Sequence, residues 1–378
     1  MNRVLENSMI YTLLIGVLSM LVQLGLKNHR HGRKTNANVL FGMAYTVYIV
    51  FALIRRIDAE YGGIDAYVYM LDFQAINSGL FEYVSNSIFE FGYSVVAWLC
   101  KMLTSEFRVL LFVLHTVQYW MLISFAKSIK YWTYLSMFVF LLQLVLSFCL
   151  LRNCVSVAIA LYAYMFFAKG TYKKSVIFFL IALSFHSSAL VMVLPCFFAV
   201  LMRSKKTSLE GRISKKDCSS LKMLMIFVGI SIGVLVAYSV AYNYLLTTKY
   251  RVYLGQNSSI GIAVLGFSLV VFLAVSSLKK DRLVLLSDQM NLYCYYALPT
   301  IPVVAICQTI IPIVYRMFDF ITPLSYALVA NFSVMSKQKK GFIGMHDIYK
   351  LFFNTYFIYR IVDFCISSIA SYGLYYTI

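Results

Sequence analysis

Five ionisable side chains lie in or beside apolar stretches of the sequence, where a charge is costly and marks a candidate functional position. They are Arg55, Arg56, Arg152, His186 and Arg316. Guanidinium groups bind phosphate oxygens through paired hydrogen bonds, so several arginines at one depth indicate a ligand that carries a diphosphate. An imidazole among them could take a proton from a hydroxyl group of that ligand.

Each of these side chains also has a structural interpretation. Arg55 and Arg56 end an apolar run and could extend to lipid phosphates. Arg316 and Asp319 are three residues apart, which is the spacing of a local ion pair on a helix. His186 could cap a turn. A shared function is favoured because the topology derived below brings them all to the same side of a membrane.

The composition identifies the 378-residue chain as a polytopic membrane protein. Hydrophobic residues make up 61% of it and charged residues 13%, about half the charged fraction of soluble domains. Apolar runs recur near the roughly 20 residues that span a bilayer, and such continuous runs predict helices and not barrel strands. We predict an all-α bundle of about 11–12 membrane segments, in a single transmembrane domain over residues 1–378.

The charge distribution predicts the topology. The formal charge of +18 would suggest a nucleic-acid partner in a soluble protein, but here the basic residues cluster in short loops, as cytoplasmic loops do, and no nucleic-acid partner is expected. The stretch 55–90 carries six acidic and two basic side chains, which suits an external loop. With an interfacial helix predicted over 91–103, it forms a periplasmic loop over 55–105. The loops assigned to the cytoplasm are 27–34, 127–130, 169–174, 203–222, 279–282 and 337–340.

The segment 175–202 lies between two basic loops and must therefore cross the membrane an even number of times. One continuous helix would break that rule. Two short helices that turn near His186, within the letters FHSS, obey it. Broken helices persist in membranes where the break faces protein or water. We predict a hairpin whose tip carries His186 partway into the membrane and opens outward.

The sequence gives no sign of a metal or cofactor. The eight cysteines show no CxxC spacing and mostly lie in apolar runs, so neither a disulfide framework nor a metal site is expected. No pair of carboxylates of the DxD type occurs in a loop, so a divalent metal is not required. Residues 9–26 are followed by no cleavage site and are expected to remain as a first span.

Four stretches carry a family resemblance. In LRNCVSVAIALYAYMFFAKGTYKKSVIFFLIALSFHSSALVMVL an arginine opens one span, a basic turn follows, and the next helix ends in Phe-His-x-Ser. The others are RRIDAEYGGIDAYVYMLDF, an outer loop, and the later segments KYRVY and VYRMFDF. In order and spacing, these stretches resemble the EpsG/Wzy-type polysaccharide (O-antigen) polymerases. The chain has Gly63-Ile64-Asp65 where that family usually has Gly-Thr-Asp, and Asn153 where glutamine is frequent.

The resemblance implies a metal-independent membrane glycosyltransferase, similar in fold to the multi-spanning lipid-linked glycosyltransferases. It would transfer a growing glycan from undecaprenyl diphosphate to the terminal sugar of another undecaprenyl-diphosphate-linked repeat unit. The implied location is the bacterial inner membrane, with the active site facing the periplasm. Its partners would be the donor and acceptor lipid-linked oligosaccharides and the membrane lipids, and a partner that regulates chain length is left open.

Roles within that reaction can be assigned by residue. His186 would take the proton from the acceptor hydroxyl, and Asp65 is the second catalytic candidate. Arg152 and Arg316 would bind the diphosphates of the substrates. The other candidates for substrate binding are Arg55, Arg56, Tyr69, Asp319, Arg251 and Tyr253.

Two other functional classes stay as alternatives. A flippase for lipid-linked oligosaccharides would also need arginines, but it is expected to show two similar halves and cations that reach both leaflets, and the chain has no internal repeat. A membrane acyltransferase acting on surface sugars would place a base early in the chain. The early histidines His29 and His31 fall on the cytoplasmic side of the predicted topology.

Overall fold

The computed structural model describes residues 2–202, 229, 233, 260–278, 285–310, 316–335, 345–369 and 374. Within these residues the secondary structure is helical and contains no strand, so the predicted all-α membrane fold is confirmed. The helices are α1 (Asn2–Arg30), α2 (Lys34–Ile54), α3 (Ile64–Ala75), α4 (Leu80–Asn86), α5 (Phe91–Leu103), α6 (Phe107–Ser128), α7 (Tyr134–Leu146), α8 (Leu151–Ala168), α9 (Tyr172–Phe185), α10 (Val193–Met202), α11 (Ile260–Ser277), α12 (Gln289–Ala297), α13 (Thr300–Ile310), α14 (Phe318–Met335) and α15 (Met345–Asp363).

Four helices of the described residues are long and apolar enough to cross a membrane. They are α1 from Glu6 onward, α2, α6 and α8. Shorter apolar helices pack among them, including α5, α7 and the segment Ser187–Met202. The length and hydrophobicity of the segment 289–309 predict a single membrane span. In the structure this segment is divided into α12 and α13. Pro299 lies at the division and has no N–H with which to continue a helix.

Helix α8 is the innermost of the four candidate spans. Within its apolar window 78% of the residues are buried, against 33% for α2. It packs against α6, α7 and α9, which explains why it is apolar on every face. Because Arg152 lies in the first turn of this helix, its guanidinium is held at one end of the protein core.

The predicted turn near His186 is present. Helix α9 ends at Phe185, His186 is extended, and a 3₁₀ segment follows over Ser187–Met192 before α10 begins. Val176 of α9 and Cys196 of α10 line one groove. In a continuous helix they would lie about 30 Å apart, so the chain turns back at the break and the two helices form the arms of a hairpin.

The acidic stretch before α5 contains structure that the sequence did not predict. Helices α3 and α4 lie within it, and α5 then begins and ends where the interfacial helix was predicted. Two glycines with positive φ precede α3. At Gly62 (φ +81°) a Cβ would lie 2.2 Å from the carbonyl oxygen of Arg56, and at Gly63 (φ +104°) it would lie 2.9 Å from that of Phe148. The Gly-Gly pair therefore lets this loop pack against the turn between α7 and α8.

Replacing Gly62 by alanine is expected to destabilise the protein. The left-handed backbone alone costs an alanine about 1–2 kcal/mol, and the contact with Arg56 adds to that. The melting temperature in detergent measures the effect. Gly42→Ala is the matched control, because Gly42 lies within α2 with nothing near its Cβ position, and there alanine should leave the melting temperature unchanged or raise it. Equal melting temperatures for the two variants would contradict the strained loop.

Candidate active site

Arg152 is the centre of the candidate site. Its guanidinium forms an ion pair with the carboxylate of Glu90, and its Nε donates a hydrogen bond to the hydroxyl of Tyr69 at 3.3 Å. The guanidinium also lies 4.4 Å from the ring centroid of Phe89 and 5.9 Å from that of Tyr93. The Arg152 side chain is 15% exposed. The charge is therefore held in place by an aromatic and acidic cage and stays accessible to a ligand.

The elements around Arg152 approach closely because of one glycine. Glu90 is the N-cap residue of α5, and Gly92 follows in the first turn of that helix. A Cβ on Gly92 would lie 2.3 Å from Oγ of Ser184, near the end of α9. Any larger residue at position 92 would push α5 away from α9, and with it the carboxylate of Glu90. The Gly92 contact therefore fixes Glu90 beside the hairpin tip.

Burial changes the pKa values of two acidic groups beside Arg152, Tyr69 and Asp72. It raises the pKa of Tyr69 to about 12, against the opposing effect of the Arg152 charge, so the phenol is neutral near pH 7 and its oxygen accepts from Arg152. Burial also raises the pKa of Asp72, although a hydrogen bond from the Tyr83 hydroxyl at 2.5 Å acts in the opposite direction. Asp72 lies within electrostatic reach of Arg152 as well.

His186 joins this cluster from the hairpin tip. It is 8% exposed and lies within electrostatic reach of Glu90, Arg152 and Arg316. Its Nδ1 accepts a hydrogen bond from the backbone N–H of Ser188 at 3.2 Å and caps the 3₁₀ segment. His186 therefore acts as a cap through Nδ1. Its other ring nitrogen, Nε2, remains for a substrate.

The cap determines which proton chemistry the imidazole can perform. In a neutral imidazole, the nitrogen that accepts a hydrogen bond carries no proton, so Nε2 of His186 carries it. A protonated Nε2 donates hydrogen bonds and takes no proton from a hydroxyl. The geometry thus favours His186 as a donor over the predicted general base. The carboxylate of Glu90, 28% exposed beside it, can take a proton.

Asp319 is tied to the same site through α8. It accepts hydrogen bonds from Nδ2 of Asn153 at 2.9 Å and from Nε2 of Gln143 at 3.5 Å. The carbonyl oxygens of both amides are buried and have no hydrogen-bond partner within the described part of the chain. A cavity of about 30 Å³, lined also by Arg360, lies beside Asp319 and Gln143, and water there could satisfy polar groups. The residue after Arg152 thus fixes a second carboxylate near the cluster.

Among the predicted arginines that the structure describes, Arg55 is the most deeply buried. Its guanidinium donates to the carbonyl oxygens of Ala52 at 2.6 Å, Phe148 at 3.1 Å and Gly62 at 3.4 Å. It also lies 4.6 Å from the ring centroid of Phe148. These contacts join the end of α2 to the glycine loop and to the turn before α8. They favour a structural role for Arg55 over the predicted contact with substrate.

The other predicted residues are distributed around the cage. Arg56 is exposed and pairs with Asp58 at 2.5 Å. Asp65 lies one helical turn before Tyr69 in α3 and within its electrostatic reach. Arg316 lies in a 3₁₀ turn directly before α14 and Asp319 in the first turn of that helix. Two predicted residues, Arg251 and Tyr253, lie outside the described residues.

Several residues of the site are not predicted from the sequence, among them Glu90, Asn153 and Gln143. In the sequence Glu90 is one of six acids of the outer loop, although an acid at the start of an apolar helix is a signal in itself. Asn153 stands where the family pattern frequently has glutamine. Gln143, an amide inside an apolar span, meets the criterion for a functional polar group in a membrane. Among the described residues, no group of three or more histidine, cysteine, aspartate or glutamate side chains could hold a metal ion.

A family comparison covers nearly the whole chain. The model of the EpsG family matches residues 39–376, a range that contains every residue of the cage and of the hairpin. The chain belongs to the EpsG family. This membership identifies the protein, at the level of the family, as a glycosyltransferase-like membrane polymerase of surface polysaccharide. Comparison with curated proteins and with solved structures finds no match.

Proposed function

We propose that this EpsG-family protein lengthens a surface polysaccharide of the O-antigen type. It transfers the growing glycan from undecaprenyl diphosphate to the terminal sugar of a second lipid-linked repeat unit. The observation that carries the proposal is that Arg152, in its cage with Glu90, lies near His186 at one end of α8, the innermost candidate span. A caged guanidinium suits a diphosphate, and a carboxylate beside a hydrogen-bond donor suits the activation of a hydroxyl.

The bonds that form and break in this reaction determine the roles of Glu90 and Arg152. The bond between the anomeric carbon and the diphosphate oxygen breaks, and the diphosphate leaves with the electron pair. The acceptor hydroxyl oxygen bonds to the anomeric carbon and inverts its configuration, and its proton passes to Glu90. Arg152 stabilises the charge that grows on the leaving diphosphate. No nucleotide is consumed.

His186 and Arg316 complete the proposed site. Nε2 of His186 donates a hydrogen bond to a substrate oxygen, either on the diphosphate or on the acceptor sugar. Arg316, within electrostatic reach of His186, supplies a second positive charge for a diphosphate. Tyr69 and Asp65 on α3 border the cage where the sugars would lie.

The proposed orientation follows from the charges of the loops. The segment 169–174, which includes the turn after α8 and the start of α9, is rich in lysine and belongs in the cytoplasm by the positive-inside rule. The cage is at the opposite end of α8. We therefore assign the site to the periplasmic face of the inner membrane, where lipid-linked repeat units are assembled into polymer.

The surface polysaccharide of a deletion strain tests the function. A polymerase defect should leave single repeat units on the lipid core in place of a ladder of chain lengths on a gel. A flippase, the alternative class, would instead cause loss of all surface repeat units. A membrane acyltransferase would leave the ladder and remove acyl groups from its sugars. Restoration of the ladder by the plasmid-borne parent gene is the control.

Substitutions at His186 should separate its cap from its contact with substrate. His186→Asn keeps an N-cap acceptor, so its melting temperature should stay near that of the parent. Its amide is shorter than the imidazole, so the rate of polymerisation should fall by roughly 10²-fold, the usual effect of losing one preorganised donor. His186→Ala should lose both stability and rate. If His186→Asn polymerises at the parental rate, the histidine is a cap alone.

A further inference from the structure

An apolar groove runs between the two arms of the hairpin, with α8 as its floor. We propose that this groove holds the hydrocarbon chain of the lipid-linked substrate whose diphosphate binds at Arg152. The proposal rests on the proposed function, and it assigns the chain of that substrate to a defined place in the protein.

The groove has the size and surface of a chain-binding site. Its volume is about 190 Å³, somewhat larger than the roughly 150 Å³ engineered cavity that holds a benzene molecule. Its lining is almost wholly apolar: Val176 and Phe179 of α9 face Val193 and Cys196 of α10 across it. It is open on one side, so a long chain could lie along it and continue into the bilayer.

The sequence explains why this space is hollow. Ala160 and Ala163 present small side chains on the face of α8 that forms the floor. The arms are joined by the 3₁₀ segment Ser187–Met192 and not by a tight turn. That connection leaves room between α9 and α10 for a chain, where two arms joined directly would pack against each other.

The groove lies farther along α8 than the residues around Arg152. Ala160 lies about 12 Å and Phe167 about 22 Å along α8 from Arg152, at about 1.5 Å per residue. Met192, which also lines the groove, ends the segment that His186 caps. The groove therefore begins about 12 Å from Arg152 along α8 and runs toward the opposite end of that helix. An amphiphile with an anionic head at Arg152 would reach the groove with the part of its chain that lies beyond this distance.

The head group decides which chain occupies the groove. Lipid tails are as apolar as the groove, so no hydrophobic gain separates one chain from another. A chain whose own diphosphate is bound at Arg152 is tethered within reach of the groove, so its entry becomes an intramolecular step and it stays there while the surrounding lipids exchange. The groove would then orient the substrate by holding its chain while the sugars react.

Cross-linking in vesicles tests the occupant directly. A photoreactive amino acid replaces Val176 in one protein and Ile177 in another. These neighbours are equally exposed, at 56% each, but only Val176 lines the groove. The vesicles contain phospholipid and a lipid-linked repeat unit with a radiolabelled sugar. Label is expected at position 176 well above position 177. Equal labelling at the two positions would show that the groove does not select the chain of the substrate and would overturn the proposal.

Kinetics with blocked variants provide the second test. Val176→Trp should raise KM for the full-length lipid-linked repeat unit by roughly tenfold, because the chain no longer orients the head group. Ile177→Trp should leave KM unchanged. Val176→Trp should keep the parental rate with an analogue whose chain is a single isoprene unit, too short to reach the groove, which shows that the variant is folded. Equal effects of the two tryptophans on full-length substrate would contradict the proposal.

Inactivity of the parent would instead count against the proposed function. The labelling would still show whether the chain of the lipid-linked repeat unit occupies the groove.

Discussion

Glu90→Gln is expected to lower the rate of polymerisation by about 10²–10⁴-fold, the usual effect of losing a general base. Glutamine keeps the shape of the side chain and an oxygen that can accept from Arg152, so the cage should stay assembled. It lacks the negative charge and cannot take the proton of the acceptor hydroxyl. The loss should therefore fall on kcat, with KM for the lipid-linked repeat unit within a few-fold of the parent.

The two kinetic constants separate a base from a structural partner. If Glu90 is the base, Glu90→Gln lowers kcat alone, whereas the loss of a structural partner of Arg152 would also raise KM. Glu82→Gln is the matched control, because Glu82 is an exposed acid of the same outer stretch, in α4, and its rate should equal that of the parent. A Glu90→Gln variant that keeps the parental rate would exclude Glu90 as the base.

Arg152→Lys is expected to abolish the ladder of long chains and to lower the rate by roughly 10²–10³-fold. Lysine keeps the charge, but it cannot contact Glu90 and Tyr69 together with a diphosphate as the guanidinium fork does, nor lie flat over Phe89. We expect kcat to fall and KM to rise, because the same group binds the diphosphate and stabilises its departure. Purified protein with lipid-linked repeat units measures both constants.

The control for Arg152→Lys comes from the same end of the protein. Arg108 is exposed near the start of α6, and Arg108→Lys should leave rate and chain length unchanged. Combining Arg152→Lys with Glu90→Gln should give less than the product of the two single effects, because the two side chains contact each other. A lysine variant that makes normal ladders would contradict diphosphate binding by Arg152.

The architecture follows from the sequence where hydrophobicity and charge decide it. The alternation of basic loops requires a turn within 175–202, and the chain breaks at His186. The helix predicted over 91–103 is present with the same bounds as α5. These features depend on local composition and on the positive-inside rule, which a single sequence displays directly.

The site could be predicted only in part, because its contacts join residues far apart in the chain. Nothing in the sequence pairs Arg152 with Glu90, since that pairing depends on the close approach of α5 and α9 at Gly92. The sequence also does not show that Arg55 is bound to carbonyl oxygens while Arg152 is open to a ligand. Only the folded structure distinguishes the two arginines. At His186 the residue type indicated a base, while the hydrogen bond to Nδ1 indicates a donor.

Reconstitution tests the central claim most directly. Purified protein in phospholipid vesicles receives one kind of lipid-linked repeat unit and no nucleotide sugar, and the products are separated by chain length. The proposal predicts a ladder of glycans on lipid diphosphate, free undecaprenyl diphosphate in equal amount to the bonds formed, and no ladder with Glu90→Gln. Folded protein that leaves the single repeat unit unextended, or moves it across the bilayer without joining it to another, would contradict the claim.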